Sequence, residues 1–171
     1  MKTQMISDMT TLHDLAAEQA VLGSIFLDSA AINDIMFLSP RDFANEQHKL
    51  IFEVMLHLSK NDIPIDIVTL TSEFQKFDRL KDMGSVSYLS RLAGSAPSAA
   101  NVEYYAKIVR SKAIRRRAIE YGNKLIEMAG EEFETDEEFL AAVEEEILEL
   151  RPTTFTKMRS FKESREDYLI T

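Results

Sequence analysis

The chain has no cysteine, and only five glycines and four prolines in 171 residues. Without cysteine there is neither a disulfide nor a thiolate nucleophile, as suits a cytosolic protein. Scarce glycine and proline, beside frequent Ala, Leu, Glu, Lys and Met, predict an all-α chain. The first residues are polar and hold no signal-peptide core, and no apolar run approaches a membrane span. A cytoplasmic location and no membrane partner are therefore expected. No G-x-x-x-x-G-K-[ST] occurs, and the glycines form no phosphate-cradling cluster. His13, His48 and His57 lack metal-site spacing, and ordinary surface or half-buried positions are expected for them. No Glu-x-x-His pair occurs, which argues against a carboxylate enzyme built in a helical bundle. Positive charge is in the minority, with 20 Lys and Arg against 29 Asp and Glu and a formal net charge of −9. Such a chain is poorly suited to gripping phosphate backbones, so DNA contact is expected to be weak at most. No catalytic, cofactor or metal site is expected in this chain.

What is present is helical periodicity. Asp14 is placed to cap a helix over about 15–27. Its apolar positions at Val21, Leu22, Ile25 and Phe26, backed by Ala17 and Ala20, are too broad an arc for a surface helix. Ala20, Gly23 and Ser24 offer a small-residue surface for close approach by another helix. Ser29 is read as the cap of a short second helix through Ile32, Ile35 and Met36. Ser39-Pro40-Arg41-Asp42 has a cap, proline at the first position and an acid in the first turn. It is read as the start of the helix carrying Leu50, Ile51, Val54, Met55 and Leu58, broken by Asn61-Asp62-Ile63-Pro64. Ile65–Thr71 is rich in β-branched residues, which favours a strand. Yet Ile67, Leu70, Phe74 and Phe77 repeat at helical spacing behind Asp66, and no second strand is available to pair with. A helix is expected there, and a further one over about 85–93.

Gly94-Ser95-Ala96-Pro97-Ser98 reads as a boundary. The expected organisation is a compact helical body over 1–98, an antiparallel helical hairpin over 99–150, and a linker with a short linker helix over 151–171. Residues 99–129 make one long helix of about 45 Å. Thr135 with Glu138 forms a capping box that opens the second helix, which ends at Leu150. The short link between them implies the hairpin. The long helix carries two apolar stripes, one at Ile114, Ala118, Tyr121, Leu125 and Met128, the other at Ile119, Gly122, Ile126 and Ala129. The second helix supplies Leu140, Val143, Ile147 and Leu150. One partner helix needs one stripe, so a second partner is implied, either the body or another subunit. Ile114, Ala118, Ile119, Tyr121, Leu125 and Ile126 are the candidate self-association residues.

Charge is divided along this hairpin. The long helix carries Lys107, Arg110, Lys112, Arg115, Arg116, Arg117 and Lys124, while every charged residue from Glu127 to Glu149 is acidic. Exposed pairs give only about 0.2–1 kcal/mol each, against roughly 1.5–3 kcal/mol per buried apolar side chain. The stripes therefore hold the hairpin, and the charges set orientation and choice of partner. Arg115-Arg116-Arg117 is expected to pair with the acidic helix rather than with nucleic acid, since no aromatic residues interleave with it. Glu144-Glu145-Glu146 points to different faces and reads as a solvated run. At the C-terminal end, Ser160 and Glu163 cap a helix to about Leu169, with Phe161, Tyr168 and Leu169 near one face as a docking surface.

The words themselves add a resemblance. Ala17-Glu18-Gln19-Ala20-Val21-Leu22-Gly23-Ser24 resembles the opening of the N-terminal domain of DnaB-type replicative DNA helicases. Leu38–Phe43, His48-x-x-Ile51-Phe52, Ile63–Leu70, Tyr88-Leu89-x-x-Leu92-Ala93 and Pro97–Val109 follow in the family's order over about residues 15–120. His13-Asp14-Leu15, Ala44-Asn45 and Gly84-Ser85 depart from the usual pattern and suggest a divergent member, of the phage-borne kind. The resemblance implies a collar domain in which hairpins pair between subunits into a trimer of dimers, within a hexamer. It implies primase and a helicase loader as partners, and a linker helix that docks on the neighbouring motor. ATP and Mg would belong to that motor, which this chain would lack, so the chain itself would not be an enzyme. A free-standing helical adaptor or regulator of a helicase is the alternative.

Overall fold

The computed structural model describes residues 12–76, 81, 82 and 84–150. The expected linker helix, with Phe161, Tyr168 and Leu169, lies outside the described residues. Among the described residues every regular element is helical. Six α-helices are described: α1 (Leu15–Leu27), α2 (Glu46–Lys60), α3 (Ile67–Lys76), α4 (Val86–Ala93), α5 (Val102–Met128) and α6 (Asp136–Leu150). Short 3-10 turns cover Ser29–Ile35, Pro40–Asp42 and Ala99–Asn101.

Helix α1 begins where Asp14 Oδ1 accepts the Ala17 amide at 2.9 Å. It is apolar nearly all round and is correspondingly enclosed, with Ala17, Ala20, Val21, Leu22 and Ile25 all buried. It packs on α2, α4 and two of the 3-10 turns. Gly23 marks a close approach of backbone to this helix. A Cβ built there would lie 2.5 Å from Ser95 Oγ, 2.6 Å from the Leu92 carbonyl oxygen and 2.9 Å from the Ala96 nitrogen. What comes close is thus the turn leaving α4, rather than the side of another helix. Ser95 Oγ donates to the Gln19 carbonyl at 2.7 Å, and Ser24 Oγ to the Ser98 carbonyl at 3.4 Å.

Two helix starts differ from the sequence reading. The segment after α1 is a 3-10 turn capped by Asp28, not Ser29, with Asp28 Oδ1 accepting the Ala30 amide at 2.9 Å. Ser39–Asp42 closes on itself instead of opening the long helix. Asp42 Oδ2 accepts the Ser39 amide at 2.8 Å, and the turn ends at once in an extended Phe43. That extension sends the Phe43 ring into the core, 4.9 Å from the Phe52 ring. A second cap, Asn45, then starts α2, its Oδ1 accepting from Gln47 and His48 amides at 2.8 and 3.1 Å. On α2 the buried residues are Ile51, Phe52, Met55 and Leu58, with Leu50 and Val54 half-buried. Asp62 takes a positive φ of 54° just past its end.

The β-branched segment is helical. Asp66 Oδ1 accepts the Thr69 amide at 2.8 Å, and Thr69 Oγ1 accepts the Asp66 amide at 3.0 Å. Local caps and the burial of Leu70 and Phe74 outweigh strand propensity here. Phe77 lies outside the described residues. Ser85 caps α4 through the Tyr88 amide at 3.1 Å.

The chain divides into two compact units, Met1–Arg115 and Arg116–Thr171, whose boundary falls inside α5. Val102, Ala106 and Val109, on the first half of α5, belong to the buried core of the first unit. Arg110 fixes that half of the helix. It donates to the Phe37 carbonyl, lies 3.6 Å from the buried Asp42 carboxylate and has its guanidinium 5.9 Å from the Phe37 ring centre.

Candidate functional site

In the second unit, α5 ends at Met128 and α6 returns beside it as an antiparallel hairpin. The Ala129, Gly130 and Glu131 amides donate back to Leu125, Glu127 and Met128 carbonyls. Thr135 Oγ1 accepts the Glu138 amide at 3.2 Å and opens α6. Phe133 and Phe139 meet edge to face, 5.3 Å apart, at the tip. Lys124 pairs with Glu146, 22 residues later. Glu146 Oε2 is buried without a hydrogen-bond partner among the described residues.

The hairpin uses only part of the apolar surface of α5. Met128 is buried, and Tyr121 and Leu125 are half-buried, as are Phe139, Ala142 and Val143 on α6. Ile119 and Gly122 are also half-buried, whereas Ile114, Ala118, Ile126 and Ala129 are exposed. Ile126 is 74% accessible, and on α6 Leu140 is 57% accessible. The six candidate residues therefore separate, with Tyr121 and Leu125 drawn inward and Ile114, Ala118 and Ile126 facing out. Of the basic side chains expected against α6, Lys124 reaches it. Lys107 pairs with Glu103 at 2.7 Å, and Arg110 bonds within the first unit. At the tip lies an open depression of about 400 Å³ lined in part by Glu131, Glu132, Phe133 and Phe139.

A second constellation was not legible as such. His48 is fully buried on α2, not surface or half-buried, because it completes a polar chain through the first unit. Its Nδ1 lies 2.6 Å from Glu18 Oε2 and its Nε2 lies 2.6 Å from the Tyr88 hydroxyl. Nδ1–H donating to Glu18 while Nε2 accepts from Tyr88 satisfies both contacts. Glu18 is 1% accessible and also accepts the Ala44 and Asn45 amides, at 2.6 and 3.3 Å. A carboxylate taken out of water is tolerable only with such donors. The chain ties α1, the start of α2, and α4 together, and Arg91 covers the Tyr88 ring at 5.3 Å. The available signal was a glutamate, the one charged residue of α1, which has to find donors inside. Among the described residues no group of three or more His, Asp or Glu side chains is arranged to hold a metal. No helix among them is long and apolar enough to cross a membrane.

Comparison with known proteins adds the following. The model of the DnaB-like helicase N terminal domain matches residues 10–111. The replicative DNA helicase DnaC of Bacillus subtilis is 39% identical over 149 residues, covering 86% of this chain and 33% of that protein. The replicative DNA helicase DnaB of Geobacillus stearothermophilus is 44% identical over 118 residues, covering 68% of this chain and 26% of that protein. The chain spans about a third or less of the length of these curated relatives. Among solved structures, the N-terminal domain of the DnaB helicase from Mycobacterium tuberculosis superposes with a TM-score of 0.76 at 34% identity, over 81% of this chain and 98% of that one. A DnaB-like replicative helicase, described with its interactions with primase, superposes with a TM-score of 0.68 at 23% identity, over 87% of this chain and 35% of that one. That second likeness is one of fold.

Proposed function

The chain belongs to the DnaB-like helicase N-terminal domain family, and from that premise we propose that it acts as the collar domain of a hexameric replicative DNA helicase. The observation that carries the reading is the match in fold along nearly the whole mycobacterial domain, at an identity of 34%. The roles assigned are self-association through the α5–α6 hairpin, as a dimer and then a trimer of dimers, and docking of primase and of a helicase loader. ATP and Mg chemistry is assigned to a motor domain of the parent protein, since these 171 residues carry no P-loop motif. The cytoplasm is the assigned compartment.

The outward residues Ile114, Ala118 and Ile126 are assigned to contact between subunits, with Ile119 at their edge. Tyr121 and Leu125 serve both the hairpin and that contact. Apolar burial supplies the affinity, so association survives moderate salt.

Two measurements on the purified chain test this. Sedimentation velocity should show association that Ile119→Asp with Ile126→Asp shifts toward monomer, while helical circular dichroism is retained. Fluorescence anisotropy should show saturable binding to the replicative primase of the same source. A chain that stays monomeric at high concentration and ignores primase would sink the collar reading. Nucleotide turnover above a buffer blank would show an active site of its own.

A further inference from the structure

The first half of α5 carries an open face that neither the core nor the collar assignment uses. Tyr104, Lys107, Ser111 and Arg115 are all exposed. At about 100° per residue they fall within an arc of about 80°, so they share one side of the helix. Tyr104 stands out among them. It is a large aromatic side chain with 67% of its surface accessible, while its neighbour Tyr105 packs against the core. The two rings meet edge to face with centres 6.1 Å apart, which steadies Tyr104 and leaves most of its surface open.

Charge in this stretch has one sign. From Tyr104 to Ile119 there are six Lys and Arg residues and no Asp or Glu. Arg110 is engaged in the first unit, and Lys112, Arg116 and Arg117 are half-buried, which leaves Lys107 and Arg115 as the exposed cations of the face. Lys107 pairs with Glu103 at 2.7 Å, but the two side chains are 64% and 57% accessible, and an exposed pair of this kind is weak enough to yield to a phosphate. The net charge of −9 does not cancel the local excess. At about 0.1 M salt, charges farther off than about 10 Å are largely screened, so a ligand on this face meets the nearby cations first.

Cations along a helix suit an anion of any kind. An open aromatic ring on the same side, one turn from the first cation, suits a chain that alternates phosphates with flat bases. A duplex keeps its bases in the stack, so the ring selects a single strand. We propose that the Tyr104–Arg115 face binds single-stranded nucleic acid, with a base stacked on Tyr104 and phosphates at Lys107 and Arg115. This goes beyond the collar reading, which assigns no strand to this domain.

Fluorescence anisotropy of labelled oligo(dT) and oligo(rU) against the purified chain tests it. Saturable binding at low salt is expected. Binding of either supports the proposal, and the tighter names the source. The constant should fall with salt with a log–log slope of about −1.4, for two phosphates of a single strand. Lys107→Gln with Arg115→Gln should flatten that slope. Tyr104→Ala should weaken binding roughly 5- to 150-fold and leave the slope in place. Lys49→Gln with Lys60→Gln, which removes the same charge from α2, should change neither. Circular dichroism of each variant checks that it is folded. No binding by the unaltered chain would overturn the proposal. So would an unaffected Tyr104→Ala chain, the mark of a site for acidic peptides or any other anion, or an equal loss from the α2 pair. The collar reading stands or falls separately, since association and primase binding are measured without an oligonucleotide.

Discussion

Two helical glycines give opposite expectations for the same substitution. At Gly23 an added Cβ meets Ser95 Oγ at 2.5 Å, the Leu92 carbonyl at 2.6 Å and the Ala96 nitrogen at 2.9 Å. Two of these are backbone atoms, so relief requires the α4 turn to move away from α1. Overpacking of this kind costs about 1–3 kcal/mol. Displacing Ser95 from the Gln19 carbonyl costs a further ~0.5–1.5 kcal/mol. The gain in helix propensity from Gly to Ala returns only about 1 kcal/mol. Gly23→Ala should therefore lose roughly 1–3 kcal/mol, equivalent to a fall in Tm on the order of 5–20 °C for a unit of about a hundred residues. At Gly122 nothing lies within 4 Å of the added Cβ. Gly122→Ala should gain up to about 1 kcal/mol in the monomer. Urea unfolding followed by circular dichroism, at concentrations too low for association, compares the two. Equal midpoints, or a stabilised Gly23→Ala, would refute the close approach as described.

Two further outcomes are expected. His48→Leu leaves the buried Glu18 carboxylate short of a donor and should cost about 3–5 kcal/mol in urea unfolding, with Glu18→Gln in the same chain recovering part of it. A loss under 1 kcal/mol would mean that Glu18 is not held as described. Asn45→Ala removes both amide contacts at the start of α2 and should cost about 1 kcal/mol; an unchanged midpoint would show that Asp42 and Glu46 cap the helix without it.

The parts of the fold carried by local chemistry were legible in the sequence. Asp14 and Thr135 each cap the helix their positions announce, because a side-chain oxygen near an unpaired amide needs no distant partner. Ser39–Asp42 carried the same signal and opened no long helix. Its cap residues bond to each other, and the site where Phe43 buries its ring lies nine residues on, at Phe52. His48 was illegible for a related reason. Its partners Glu18 and Tyr88 are 30 and 40 residues away, and only the folded first unit brings the three together. On α5 the sequence announced more apolar surface than one helix can cover. Which residues turn inward depended on the phase of α6, and that phase places Tyr121, Leu125 and Met128 inside the hairpin and Ile126 outside it.

The contact that locks α1 spans most of the first unit in sequence, since Gln19 and Ser95 are 76 residues apart and Ser24 and Ser98 are 74 apart. A ribosome adds about 5–20 residues per second. The most apolar helix of the chain is thus made roughly 4–15 s before the segment that covers it exists, and through that interval its sides are open to any other apolar surface. Folding of this unit is then gated by synthesis of the α4 turn, and anything that stalls translation between Leu27 and Ser95 lengthens the exposure. A nascent chain halted there should be a target for chaperones that hold apolar segments, and the same chain released after Val109 should not.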